Sequence, residues 1–254
     1  MNDARQARMD IREGRHTGTT RGLALGYVQC NLVILPQDLA FDLLLYCQRN
    51  QKACPVLEVT DPGDAEPRRS APGADLRTDL PRYAVYRHGQ RQDDVTDLGD
   101  LWRDDFVAFL IGSGITFDLA LQEAGVPTDK HRWVVRSTLP TEPAGRFHGD
   151  MVLTMRWLTP DQAITAVQVT ARFPFNHGAP VHIGDPAAIG ADLQNPLFGP
   201  PVSGPTPDDK VAVFWACGVT PQAAAEAAKV DLMIAHAPAH GFVTDLKADD
   251  LRLP

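Results

Sequence analysis

The sequence predicts an α/β fold in which a mixed sheet carries a second, inserted α+β subdomain. Three features of the 254-residue chain support this prediction. A strand, a helix and a second strand follow one another over residues 27–60, an order typical of parallel strand pairing. A similar order returns at residues 210–235, and the elements between the two units are shorter. We therefore expect residues 1–81 plus 158–254 to form the α/β domain, and residues 82–157 to form the inserted subdomain.

The first predicted unit begins after an N-terminal helix within residues 1–15, which are polar and charged. Residues 27–35 form a nearly continuous apolar run, typical of a buried strand, and Pro36 ends it. Apolar residues then return at helical spacing over residues 37–49, which predicts a core-facing helix. Residues 55–60 are rich in β-branched and apolar side chains and complete the unit as a strand.

The segment after residue 82 has a different pattern. Residues 83–87 predict a strand, and residues 98–111 predict a helix because their large apolar side chains recur at helical spacing. Gly112-Ser113-Gly114 then breaks this helix, and Thr116 is expected to cap a second helix that runs to Ala124. Further strands are predicted at residues 133–136 and 151–157.

The last third of the chain returns to longer elements. Thr159, Pro160 and Gln162 have the pattern of a capping box with proline at the first helical position, which predicts a helix to about Phe173. A proline-rich loop over residues 196–209 follows. The remaining predicted elements are a buried strand at 210–216, a helix at 221–229 and a short strand at 232–235.

The overall charge excludes some classes of function. The net charge is −8 and no basic cluster stands out, which argues against a nucleic-acid partner, because such binding needs Lys and Arg to neutralise phosphates. The chain contains no run of about 18 apolar residues, so we expect no membrane span. Its charged N-terminus is not followed by the apolar segment that a signal peptide has, so we expect no secretory signal there. The four cysteines have no metal-site spacing and are expected to be buried free thiols. We therefore expect a cytoplasmic protein with a small-molecule substrate.

The densest group of candidate functional residues lies at 176–186. This stretch contains His177, His182 and Asp185 among glycines and prolines, so it predicts a shaped loop whose side chains can move protons or bind a metal. His236, together with the nearby His240, could join them in a divalent-metal site. The histidine spacing matches no compact metal motif, however, and we favour proton transfer without a cofactor, with a divalent metal as the alternative.

Cys217 is a second candidate, because it follows a predicted strand and precedes a helix. A helix N-terminus stabilises a thiolate, so this cysteine could act as a nucleophile. The alternative is a small buried thiol below the turn, since no partner base can be assigned from the sequence. The carboxyl end of a strand is also the edge where ligands bind in α/β sheets.

Polar residues near the first strand are candidates for substrate binding. Gln29 and Asn31 share one face of that strand and need hydrogen-bond partners, from either the fold or a ligand. Arg77 lies in an Asp-Leu-Arg-Thr-Asp run between Asp75 and Asp79. A guanidinium held by carboxylates is preorganised to bind the carboxylate of a ligand, although a solvated turn gives the same pattern.

Five runs of the chain, in one order, form a recognisable pattern: residues 26–36 (GYVQCNLVILP), 47–50 (CQRN), 75–81 (DLRTDLP), 177–186 (HGAPVHIGDP) and 214–222 (FWACGVTPQ). In these runs the chain resembles the bacterial putative hydro-lyase family, which is similar to the cyclase domain of D-glutamate cyclase. The resemblance implies a two-domain α/β plus α+β architecture and dehydration of D-glutamate to 5-oxo-D-proline.

The sequence departs from the family pattern at a few positions. Where the family usually has a Cys-Ser-Phe-Ser-Phe-Glu run, this chain has SGITFD, which begins with Ser113 and Gly114 and ends with Asp118. Thr141 occupies a usual cysteine position, and residues 197–200 replace a segment that usually carries acidic residues. These departures bear on the substrate rather than on the fold.

The resemblance and the residues together predict a lyase that acts on a small amino dicarboxylate. We expect His177 and His182 to transfer protons, with Asp185 orienting a histidine and Cys217 nearby. Substrate binding is expected from the following side chains: Gln29, Asn31, Arg77, Asp79, Arg156 and His236. The alternatives are a non-catalytic protein that binds 5-oxoproline or a related acid, and a metal-dependent hydrolase. A homo-oligomer is possible.

Overall fold

The computed structural model describes residues 3–128, 132–204 and 206–254. The α-helices are α1 (Ala4–Arg12), α2 (Gln37–Arg49), α3 (Asp118–Glu123), α4 (Pro160–Ala171) and α5 (Thr220–Ala227). The strands are β1 (Tyr27–Pro36), β2 (Val56–Val59), β3 (Tyr83–Arg87), β4 (Gln90–Arg91), β5 (Phe106–Gly112), β6 (Trp133–Pro140), β7 (Asp150–Leu158), β8 (His182–Ile183), β9 (Val211–Ala216), β10 (Leu232–His236) and β11 (Phe242–Lys247). Short 3-10 helices lie at Pro174–Asn176, Pro186–Ile189 and Asp249–Leu251.

The strands form two antiparallel sheets. The larger has seven strands in the order β2-β5-β1-β10-β3-β4, and β11 also pairs with β1. The smaller has four strands in the order β6-β7-β9-β8. The predicted mixed α/β class is therefore confirmed, with helices packed around sheets. No described helix is long and apolar enough to cross a membrane.

The long strand β1 is the centre of the larger sheet. Its side chains alternate between two apolar clusters, so that Leu32 and Ile34 pack on one face and Val33 and Leu35 on the other. Because helices cover both faces, the strand is apolar almost throughout, as its sequence predicts. Trp215 of β9 packs in the same cluster as Leu32, which holds the smaller sheet against the larger one.

The predicted parallel pairing of the first two strands is wrong. Strand β5 lies between β1 and β2 and is antiparallel to both. The sequence predicts a helix over residues 98–111, because Trp102, Phe106 and Phe109 also fit helical spacing, whereas the structure has β5 from Phe106. A short, fully apolar run satisfies both periods, so periodicity alone cannot separate a buried strand from a buried helix.

Several smaller expectations are also corrected by the structure. Thr116 does not cap a helix: α3 begins at Asp118, and the Thr116 hydroxyl accepts the backbone N–H of Gln29 at 3.1 Å. Strand β11 and the short β8 were not predicted. In contrast, the capping box of Thr159 and Gln162 is present at the start of α4. The predicted N-terminal helix is α1, although Met1 and Asn2 of the predicted range lie outside the described residues.

The sheets divide the chain differently from the predicted boundaries at residues 82 and 157. Strands β3 and β5, from within that segment, belong to the larger sheet, whereas β8 and β9, from beyond it, belong to the smaller. Each sheet therefore contains strands from residues 82–157 and strands from the rest of the chain. The division into a domain of residues 1–81 plus 158–254 and a subdomain of residues 82–157 stays a prediction about folding units.

Candidate active site

A cavity of about 440 Å³ lies between the two sheets. The larger sheet contributes Asn31, Tyr86 and His236 to its wall, and the smaller sheet contributes Thr154 and Arg156. Loops at the strand ends close the remaining sides. A cleft that several elements share, with polar side chains converging on it from both sheets, is where small ligands bind.

His177 enters the cavity wall from the loop after the 3-10 helix at Pro174–Asn176. Its backbone is left-handed, with φ of 77°. The Nδ1 atom lies 3.1 Å from the carbonyl oxygen of Lys52, and a carbonyl only accepts, so Nδ1 carries the proton. The other ring nitrogen, Nε2, is therefore an acceptor. Burial lowers the pKa of His177 to about 4, which keeps the ring neutral at physiological pH.

His236 lies at the end of β10 and has the opposite arrangement. Its Nδ1 is 3.3 Å from the backbone N–H of Leu32 and 3.2 Å from the amide nitrogen of Gln222. The Tyr86 hydroxyl donates to the Gln222 amide oxygen at 3.3 Å, which points the amide nitrogen at the histidine. The Leu32 carbonyl is farther from Nδ1, at 3.4 Å. We therefore assign Nδ1 as the acceptor and Nε2–H as the donor.

Both histidines are thus neutral, and their available nitrogens have opposite roles. Burial also lowers the pKa of His236 to about 4. His177 presents an acceptor and His236 presents a donor in the same cavity wall. One pocket therefore holds a candidate proton acceptor and a candidate hydrogen-bond donor to a ligand oxygen.

Asn31 and the turn after β9 are fitted closely to each other. The Asn31 amide nitrogen donates to the Gly112 carbonyl at 3.0 Å. A side chain at position 218 would meet that amide nitrogen, since a Cβ built on Gly218 lies 1.9 Å from it. Only glycine therefore allows the turn to approach Asn31, and this contact holds the neighbouring Cys217 at the cavity.

Cys217 lies in the cavity wall with 9% of its surface exposed. Burial raises the pKa of the thiol, and a hydrogen bond with Thr154 opposes this rise without cancelling it. The thiol is therefore protonated at neutral pH, and the thiolate that the sequence pattern suggested is not favoured here. The side chain can donate a weak hydrogen bond to a ligand.

The charged side chains of the cavity wall are mostly arginines. They are one carboxylate, Glu226, and five arginines, namely Arg21, Arg91, Arg132, Arg136 and Arg156. Burial and the neighbouring Arg132 lower the pKa of Arg156 to about 10, so the guanidinium remains charged at neutral pH. Such a wall favours an anionic ligand even though the whole chain is acidic.

Some residues that the sequence singled out lie away from the cavity wall. Gln29 is buried, and its side chain bonds Thr20 and the Leu23 carbonyl, so it holds the loop that brings Arg21 to the cavity. Arg77 pairs with Asp75 at 2.7 Å on another surface. Asp79 is fully buried beneath Arg12, which it binds with both oxygens. These three side chains have structural partners.

The histidine loop is divided by the fold. His177 faces the cavity, whereas His182 pairs with Phe214 in the smaller sheet and its Nε2 lies 3.0 Å from the carbonyl oxygen of Asp185. The Asp185 carboxylate accepts the N–H of Ala187 and caps the following 3-10 helix. Within the described part of the chain, no three His, Cys, Asp or Glu residues are grouped as metal ligands.

Sequence reasoning missed Tyr86, Gln222 and Arg132 as cavity residues. Tyr86 is one of several apolar positions in β3, and Gln222 follows an ordinary proline start of α5. Their side chains become relevant only through contacts across the two sheets. Of the departures from the family pattern, Ser113 and Gly114 line the cavity, while Thr141 accepts a hydrogen bond from Tyr46 elsewhere.

Acid should destabilise the protein through these histidines. A free histidine has a pKa of about 6.5, so between that pH and about pH 4 the unfolded chain binds protons that native His177 and His236 do not. Each group then lowers the free energy of unfolding by about 1.4 kcal/mol per pH unit as the pH falls. Urea unfolding at about pH 7, 6 and 5 measures this slope. Replacing His177 by Asn should remove about half of the pH dependence that these two histidines give to the free energy of unfolding. If the slope of that free energy against pH is unchanged in the variant, His177 does not contribute to it.

A sequence model and several similar proteins assign this chain to the same family. A sequence model described as D-glutamate cyclase matches residues 107–245. A protein named "Putative hydro-lyase" from Thermoanaerobacter sp. (strain X514) is 53% identical over 97% of this chain and 94% of its own length. Another, from Stutzerimonas stutzeri (strain A1501), is 51% identical over 95% of this chain and 92% of its own length. "Putative hydro-lyase YcsI" of Bacillus subtilis (strain 168) is 49% identical, over 95% of each chain.

Proposed function

The chain belongs to the D-glutamate cyclase family of lyases, and from that premise we propose that it converts D-glutamate to 5-oxo-D-proline and water. The observation that carries the proposal is that one cavity has both an arginine-rich wall and two neutral histidines of opposite hydrogen-bonding role. The arginines suit an anionic substrate, and the histidines suit a reaction that removes a proton from nitrogen and develops negative charge on oxygen.

The reaction is balanced without an added reagent. The α-ammonium group loses a proton, and the freed amine attacks the γ-carboxyl carbon to form the new C–N bond. One C–O bond of that carboxyl group then breaks. Of the three protons of the ammonium group, one stays on the lactam nitrogen and two leave with the oxygen as water. The proposed chemistry therefore needs no oxidant, reductant or other co-reactant, and we propose that it proceeds without a metal or other cofactor.

We propose that His177 accepts protons from the substrate nitrogen through Nε2. The Lys52 carbonyl fixes the tautomer that leaves this nitrogen unprotonated. Because burial lowers the pKa of the ring, His177 is a weak base by itself. The ammonium group therefore loses its first proton to solvent before attack, and His177 accepts the second proton as the amine attacks the carbonyl carbon, where the developing N–H acidity makes the transfer favourable.

We propose that His236 donates to the oxygen that leaves. Its Nε2–H is available because Leu32 and Gln222 occupy Nδ1. Hydrogen bonding to the γ-carboxyl oxygen stabilises the negative charge that develops as the tetrahedral carbon forms. The proton taken by His177 returns to solvent or to this oxygen, and water departs.

Incubation of the purified protein with D-glutamate tests the proposal. We expect formation of 5-oxo-D-proline, measured by chromatography with L-glutamate as a parallel substrate, and no loss of turnover in the presence of a chelator. Absence of product from every small amino dicarboxylate tried would remove the enzymatic proposal. Calorimetry tests the alternative of a non-catalytic binding protein, which is favoured if the protein binds 5-oxoproline but turns over no substrate. Loss of turnover in the presence of a chelator would instead favour the hypothesis of a metal-dependent enzyme.

A further inference from the structure

Three arginines converge on one buried carboxylate beside the cavity. Asp118 binds Arg156 through Oδ1 and Arg132 through Oδ2, and Arg21 lies 3.7 Å from the same Oδ2. Arg156, Arg132 and Arg21 all line the cavity. Arg156 and Arg132 thus share one carboxylate, so these two guanidiniums carry an excess positive charge that is partly removed from water.

The guanidinium groups are also incompletely hydrogen-bonded. Among the described residues, Nε and Nη1 of Arg156 and Nε of Arg132 are buried and have no partner. Arg156 is only 5% exposed, and its guanidinium lies 5.7 Å from the ring centre of Trp215 and 6.0 Å from that of Phe117. Aromatic faces partly offset the cost of burying the charge. Unpaired buried N–H groups of a charged side chain are costly, so they indicate a missing acceptor.

We propose that Arg156 and Arg132, held by Asp118, form the binding subsite for a ligand carboxylate. A carboxylate supplies both the negative charge and the oxygen acceptors that the cluster lacks. The identity of the bound carboxylate rests on the proposed function. In that reaction the γ-carboxyl group is consumed and the α-carboxylate is unchanged, so we infer that the α-carboxylate binds here. The α-carboxylate is present in both substrate and product, so the same subsite serves both.

Asp118 is a positioning residue in this subsite. Its two oxygens hold Arg156, which comes from β7, and Arg132, which comes from the start of the hairpin formed by β6 and β7. Without the carboxylate, the two guanidiniums would repel each other at close range. The carboxylate thus fixes the directions of the free N–H groups while leaving a positive excess for the ligand.

Calorimetry with two lactams tests the subsite in the full chain. The probes are 5-oxoproline and pyrrolidin-2-one, which has the same ring without the carboxylate. We expect the unmodified protein to bind 5-oxoproline and to bind pyrrolidin-2-one at least about 10-fold more weakly, because the second lactam cannot make the charged hydrogen bonds to the two arginines. Arg156→Met should weaken 5-oxoproline binding by at least about 10-fold as well and leave pyrrolidin-2-one binding unaltered.

Two further variants keep this test decisive. Arg156→Lys keeps the charge but not the guanidinium geometry, so its affinity for 5-oxoproline should lie between those of the unmodified protein and Arg156→Met. If Arg156→Met does not fold, Arg156→Lys takes its place in the test. Arg103→Gln removes an arginine that pairs with Asp105 on the surface, and it should bind like the unmodified protein. Equal affinity for the two lactams, or unaltered 5-oxoproline binding in both Arg156 variants, would overturn the subsite.

The subsite and the proposed reaction can fail separately. If carboxylates such as glutarate or 5-oxoproline bind in an Arg156-dependent manner while D-glutamate is not turned over, the subsite stands and the proposed reaction falls. If Arg156→Met turns over D-glutamate with an unaltered KM, the reaction stands and the subsite falls. If neither 5-oxoproline nor glutarate raises the thermal stability of the unmodified protein, the subsite also falls.

Discussion

Replacing His177 by asparagine should lower kcat for 5-oxoproline formation by about 10²- to 10⁴-fold, the usual contribution of a positioned acid or base. Asparagine tolerates the left-handed backbone at this position, where φ is 77°. Its side-chain amide can also replace Nδ1 as donor to the Lys52 carbonyl. The substitution therefore keeps the loop and its anchor while removing Nε2, the proposed proton acceptor.

The kinetic constants and the fold need to be measured together. Because the proposed role of His177 is proton transfer, KM for D-glutamate should change little, and the far-ultraviolet circular dichroism spectrum should match that of the unmodified protein. His182→Asn is the comparison variant from the same loop. Its ring lies outside the cavity wall, so we expect activity close to that of the unmodified protein. Strong loss in His182→Asn with full activity in His177→Asn would reverse the assignment.

Replacing Gly112 by alanine should lower the free energy of unfolding by about 3 kcal/mol or more, an effect at the upper end of those seen for overpacking. A Cβ at this position would lie 1.7 Å from the carbonyl oxygen of Phe175 and 2.9 Å from its carbonyl carbon. Both atoms belong to the backbone, so no rotation of a flexible side chain relieves the collision. Urea unfolding, followed by fluorescence and circular dichroism, measures the loss.

The same substitution should reduce activity in the molecules that remain folded. The segment that collides with residue 112 leads directly into His177, and Asn176 anchors it to the Ser113 carbonyl and the Thr116 hydroxyl. Gly18→Ala is the matched control, because its Cβ would meet only the His16 ring, at an ordinary 3.7 Å. The control should change stability by less than about 1 kcal/mol. Equal effects at the two positions would rule out the steric explanation.

These glycines also show where sequence reasoning reaches its limit. Gly112 and Gly114 indicate a break, and the sequence assigns that break to the end of a helix. In the structure, Gly112 ends a strand and allows the backbone before His177 to approach it closely. A glycine reports that something unusual is required locally, but not whether the cause is a turn or a neighbouring chain segment.

The candidate residues divide in the same way. The sequence singled out Asn31, Cys217, Arg156 and two histidines that do line the cavity, since polar groups beside apolar strands must find partners. It also singled out Arg77, which has a carboxylate partner of its own two residues away. A side chain that is satisfied locally and one that is aimed at a ligand can have the same sequence pattern, because the pattern does not contain the partner.

The α/β class, the buried strand β1, the capped helix α4 and the family can all be predicted from the chain, because each depends on local chemistry or on motifs that stand in one order. The position of β5 between β1 and β2, and the cavity that His177 shares with His236 rather than with His182, are visible only in the folded molecule. Strand order and ring tautomers depend on hydrogen bonds between residues far apart in the chain. Such contacts leave no periodic signal in the sequence. They form only when the strands pair and the two sheets pack together.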